Sequence, residues 1–103
     1  MFTSTLLNSM RQHLMESISY ATYTAGGAEH KARIESADVI ADGRVSVSFI
    51  IDPTLTGGEE VTHVSLYDGN DALLVSRDER IARADANEGI MYRFYFTVEE
   101  VFS

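Results

Sequence analysis

Ile90-Met91-Tyr92-Arg93-Phe94-Tyr95-Phe96-Thr97-Val98 is the stretch on which the fold turns. In an extended chain successive side chains point to opposite sides, so Ile90, Tyr92, Phe94, Phe96 and Val98 share one face. Aromatic and β-branched residues suit a pleated, half-buried surface. The pattern predicts a strand in the middle of an antiparallel layer, with an apolar face that needs a cover.

Upstream, the same alternation recurs between turn signals. Val61 to Tyr67 reads as a strand, Asp68-Gly69-Asn70-Asp71 as a turn and Ala72 to Arg77 as the returning arm of a hairpin. Arg44 to Ile51 puts Val45, Val47, Phe49 and Ile51 on the core side and Ser46 and Ser48 on the other. Asp42-Gly43 joins it to Ala32–Ile40 through a tight turn whose two residues both tolerate positive φ. Asp52 to Glu60 holds the only proline, two glycines and three acids, and reads as a surface loop. Asp78 to Ala86 is expected to be a short helix or irregular.

The N-terminal segment follows a different period. Leu6, Leu7, Met10, Leu14, Met15 and Ile18 recur at steps of three and four, the mark of a helix with one apolar face. Thr3, Ser4 or Thr5 is placed to cap it. From Ser17 to Thr24 aromatic and β-branched residues take over, so the later part is expected to be a strand, broken by Gly26-Gly27. The expected architecture is therefore mainly β and borders on α+β. A helix over 1–17 leads into about six antiparallel strands over 18–103, forming one domain shaped as a small β-sandwich or curled sheet, with a closed barrel as competitor.

Composition limits what such a domain can do. Its 103 residues, 45% hydrophobic and 23% charged, match one ordinary globular domain. Eight basic against sixteen acidic side chains give a net charge of −8, which disfavours binding to a phosphate backbone. Nucleic acid is not expected as a partner. The absence of cysteine excludes a disulfide framework and a thiol nucleophile. Met1 to Met15 lacks the basic and unbroken apolar regions of a signal peptide, and no apolar run approaches the roughly 20 residues that cross a bilayer. The expectation is a soluble chain made in the cytoplasm, without a membrane partner.

The residues that could carry chemistry do not form a recognisable constellation. His13, His30 and His63 lack metal-ligand spacing, and no HExxH is present. Asp68, Asn70 and Glu79 occupy positions one, three and twelve of a calcium loop. Ala72 and Leu73, however, stand where an oxygen ligand and a glycine are required. No Gly-x-Ser-x-Gly elbow exposes a serine, and Gly26-Gly27 and Gly57-Gly58 lack phosphate-loop spacing. Glu59-Glu60 and Glu99-Glu100 are adjacent pairs that point to opposite faces of a strand and read as exposed charge. No catalytic residue, metal site or cofactor is expected.

Surfaces are the better candidates. An apolar helix joined to a small sheet either covers that sheet or packs on a neighbouring copy, and an exposed strand edge offers a second route to association. Leu7, Met10 and Leu14 are the expected interface residues on the helix. Arg77, Arg80 and Arg83, spaced by three, are the expected basic contacts, meeting the five acids between Asp52 and Asp71 on another subunit. Salt would weaken such an oligomer. The alternative is a small-molecule-binding module with a pocket between helix and sheet, lined by Tyr92, Phe94 and Phe96.

The run from Val61 to Arg77 resembles a hairpin of bacteriophage tail and other virion proteins. There a strand ending in Leu-Tyr/Phe-Asp leads through a Gly/Asn turn to a Leu-Leu strand, and the continuation to Ile90–Val98 and Glu99-Glu100 fits the same pattern. The likeness covers roughly the last 45 residues. It implies a non-enzymatic structural protein of a phage or prophage, a small tail, neck or baseplate component. Such a protein assembles into rings or symmetric oligomers with other virion proteins and ends up in the virion.

Overall fold

A computed structural model describes residues 3–52, 59–82 and 89–98. One helix, α1 (Ser4–Ser17), precedes six strands: β1 (Tyr20–Ala25), β2 (Ala28–Val39), β3 (Val45–Ile51), β4 (Val61–Tyr67), β5 (Leu73–Ile81) and β6 (Ile90–Phe96). All six join one antiparallel sheet in the order β5-β4-β1-β2-β3-β6, curled into a half-barrel. The curled-sheet form is the one adopted, in place of a sandwich of two sheets.

The curl originates in β2. Its first half pairs with β1, from Ala28↔Ala25 to Arg33↔Tyr20, and its second half with β3, from Ile34↔Phe49 to Val39↔Val45. A register shift between Ile34 and Ser36 separates the two halves. An extra residue in one strand bends it and steepens its twist. The two halves of the sheet therefore turn toward each other around β2, and the concave side becomes the core. Tyr23, Val45, Val47, Phe49, Ile51, Val61, Val64, Leu66 and Phe94 are fully buried there.

The turns show how local sequence sets the pairing. Gly26 and Gly27 both have positive φ (59° and 79°) and form a two-residue hairpin between Ala25 and Ala28. This double left-handed geometry matches the strand twist and is accessible to glycine at little cost. At the β2–β3 turn only Gly43 takes positive φ (86°), so Asp42 does not share the conformation expected of it. Asp42 works through its side chain instead, accepting from the Arg44 amide at 3.0 Å and from Arg44 Nε at 2.6 Å. That amide bond holds the Asp42 carboxyl below the usual carboxylate range. Asp68 Oδ1 accepts from the amides of Asn70 and Ala72 (2.8 and 2.9 Å), an Asx turn that accounts for the acid-rich run there.

Three expectations are corrected. Asp78 to Ile81 continues β5 as a strand, so no helix begins at Asp78; Arg83 and the rest of 83–88 lie outside the described residues. The strand at 90–96 has the predicted alternation, but it pairs only with β3 and forms an edge. Ser46 and Ser48, expected on an open face, are buried as deeply as the valines beside them. On that outer face Ser48 hydrogen-bonds Ser36 across the strand pair at 2.5 Å, while Tyr95 and Arg93 stand opposite on β6.

The helix begins where Thr3 Oγ1 accepts from the Leu6 amide at 3.1 Å. It ends where Ile18 turns extended and the Ser19 amide bonds the Tyr67 carbonyl at 2.8 Å, which brings the chain into the sheet. Leu14 and Met15 pack on the core from outside, yet no residue of α1 itself is buried. One turn earlier on α1, Arg11 lies against the Gly43 turn. No helix among the described residues is long and apolar enough to cross a membrane.

Candidate functional site

A curled sheet with six strands has two free edges, and here they approach each other. Tyr92 on β6 and Arg77 and Glu79 on β5 share a face-to-face position across the seam. Arg77 Nη1 donates to the Tyr92 hydroxyl at 3.1 Å, and that hydroxyl donates to Glu79 Oε1 at 3.0 Å. The Arg77 guanidinium also lies 5.0 Å from the centre of the Phe94 ring. Side chains thus bridge a gap that backbone hydrogen bonds do not close. Burial pushes the Tyr92 phenol up, with the Glu79 carboxylate adding to the rise and the Arg77 guanidinium opposing it.

Beside this bridge the seam opens into an apolar recess of about 530 Å³. The start of β5, with Leu74 and Val75, and the end of β6, with Phe96, form its two sides. Helix α1 forms the floor with Met10 and Leu14, spaced by four so that they share one helix face, and Ile18, the extended residue that ends the helix, continues it. Leu66 on β4 forms the back wall. Met10, His13 and Leu74 at the mouth are exposed, whereas Leu66 belongs to the buried core. The polar groups at hand are the hydroxyls of Ser9 and Ser17 and the His13 ring, and Ser17 Oγ already donates to the His13 carbonyl at 2.7 Å.

The expected site residues separate in this geometry. Met10 and Leu14 meet in the recess, while Leu7 is half-buried elsewhere on α1. Arg77 and Arg80 stand on a strand rather than a helix, and a register shift falls between Asp78 and Ile81. Arg77 enters the seam, and Arg80 Nε contacts Glu60 Oε1 at 3.3 Å within the same chain. Of Tyr92, Phe94 and Phe96, only Phe96 lines the recess; Phe94 is core and Tyr92 belongs to the bridge. Leu66, Leu74 and Val75 carry no mark of a site in the sequence. The period of α1 marks its own lining residues, but no sequence signal says which strands will stand opposite.

The histidines are dispersed. His63 Nδ1 contacts Asp78 Oδ1 at 2.9 Å on the β4–β5 surface, His30 lies 5.4 Å from Tyr23 ring to ring, and His13 is at the recess. Among the described residues no three of His, Asp and Glu are grouped to hold a metal ion. Two tyrosines have distinct surroundings. Tyr20 stacks on Tyr67 at 5.1 Å, under Lys31, and donates to Asp71 Oδ1 at 2.8 Å; that bond to a carboxylate pushes its phenol up to about 12. Burial raises the Tyr23 phenol, while its oxygen accepts from the Asp52 amide at 3.2 Å.

Comparison of the chain with protein-family models, with curated proteins and with solved structures found no match.

Proposed function

We propose that the protein is a non-enzymatic assembly protein of a phage or prophage virion, acting through interfaces with further copies and with other virion proteins. The carrying observation is where its apolar surface lies. Of the seven large hydrophobic side chains exposed among the described residues, four sit on the two edge strands: Leu73 and Leu74 on β5, and Met91 and Tyr95 on β6. Proteins that remain single normally guard a sheet edge with charge, proline or a bulge. The second half of β5 is guarded by Arg77, Asp78, Glu79 and Arg80, whereas its first half, Leu73-Leu74-Val75, has a register shift but no charge. The likeness of the Val61–Arg77 hairpin to virion proteins supports the setting, since it covers this same edge strand.

Apolar edges also alter the expected salt response. Arg80 has its acid, Glu60, inside the subunit, so ion pairing between subunits need not hold the assembly. Edge pairing through Leu73 and Leu74 should therefore persist as salt rises. Native mass spectrometry at micromolar concentration tests the reading. The wild-type chain is expected to be oligomeric, and Leu73→Lys combined with Met91→Lys, both at exposed sites outside the recess, to be monomeric. A monomeric wild type, or an oligomer untouched by the two lysines, would overturn it.

A further inference from the structure

We propose that the recess between α1 and the β5–β6 seam is a binding site for an uncharged, hydrocarbon-rich small molecule with at most one polar end, such as a medium-chain alcohol or amide. This goes beyond the assembly reading and does not depend on it. Three observations carry the inference. The volume, about 530 Å³, lies within the roughly 300–1,000 Å³ usual for small-molecule sites, which often occupy the mouths of curled sheets and barrels. Among the described residues the lining contains no Asp, Glu, Lys or Arg, so a charged ligand would lose its hydration without gaining a counter-ion from them. The lining reaches the core at Leu66 and Ile18, 0% and 9% exposed, a depth suited to an inserted molecule.

The same features argue against a second copy as the occupant. A partner with a net charge of −8 finds no cation among the described lining residues to complement it. The polar end of a ligand is placed by what stands at the mouth. His13 and Ser9 lie on the exposed side of the recess, where a hydroxyl or amide can bond them while the hydrocarbon body contacts Leu14, Ile18, Leu66, Val75 and Phe96. The bridge of Arg77, Tyr92 and Glu79 bounds the seam above the recess and holds its two sides at a set separation.

The test uses the full chain and the uncharged fluorophore N-phenylnaphthylamine, displaced by decanol or by decanoate. Saturable binding of one probe per chain is expected, with decanol displacing it at a concentration at least tenfold below that of the charged decanoate. Met10→Glu places a charge at the mouth and should weaken probe binding at least tenfold. Leu6→Glu, equally exposed on α1 but outside the recess, should leave it unchanged. Met10→Trp, which fills the mouth without adding charge, repeats the loss if the acidic variant misfolds by circular dichroism. The proposal is overturned if the wild type shows no saturable binding, or if Leu6→Glu and Met10→Glu weaken it alike. It also fails if the wild type excludes the probe as a dimer that Met10→Glu converts to monomers.

Discussion

Strand β3 and helix α1 are opposite extremes of burial in one small protein. Of the seven residues of β3, all but Ile50 are buried, serines included; of the fourteen residues of α1, none is. The sheet is stabilised by its own concave core and by pairing on both sides of β3, to β2 and to β6. The helix contributes an end cover with a weak hold. It leaves Leu6 and Met10 exposed, and the recess lies where its contact with the sheet is incomplete.

The sharpest way to break this contrast is at Phe49. Its ring lies among Tyr23 (6.5 Å), Tyr92 (5.6 Å) and Phe94 (6.5 Å) and links the core to the seam. Phe49→Ala should cost about 3–5 kcal/mol, the usual range for a large buried side chain replaced by a methyl group. Urea denaturation followed by far-ultraviolet circular dichroism reads the loss. A cost under about 1 kcal/mol would mean that the aromatic cluster collapses around the cavity and that β3 is not the centre of stability.

A smaller effect is expected on the helix side. Leu14 packs against the core from α1 and is only half-buried. Leu14→Ala should cost about 1–2 kcal/mol, below the range for a fully buried leucine because part of its surface is already wet. The same denaturation measurement applies. A loss as large as that of Phe49→Ala would show that the helix is an integral wall of the core, and the contrast between α1 and β3 would disappear.

Much of this arrangement could be read from residue order, and the failures have physical causes. Alternation at 45–51, 61–67 and 90–96 gave the strands because period-two patterning survives wherever one face is buried. The helix followed from its steps of three and four. The segment after Asp78 is illegible because Arg77-Asp78-Glu79-Arg80 lacks an apolar face of either period; pairing with β4, from Leu73↔Tyr67 to Ile81↔Val61, makes it a strand. The burial of Ser46 and Ser48 was hidden because it comes from long neighbours on adjacent strands, and strand order is not written in local pattern. The recess was anticipated between helix and sheet, but its strand-side residues depended on which edges the curl would bring together.

The smallest predicted effect tests how loosely the helix is coupled to the sheet. Thr3 supplies the cap of α1 through its bond to the Leu6 amide, and the first turn carries no acidic residue to substitute for it. Thr3→Ala should weaken the helix by about 1 kcal/mol, the usual cost of losing an N-cap oxygen. Because Leu14 and Met15, which contact the core, are near the other end of α1, the loss should remain in the first turns. Amide hydrogen exchange is expected to accelerate severalfold from about Leu6 to Met10 and the urea midpoint to fall by no more than that same loss, while β3 amides that exchange by local opening keep their original rate. Faster exchange at those same β3 amides would mean that helix and sheet open as one unit, leaving the exposure of α1 without an energetic counterpart.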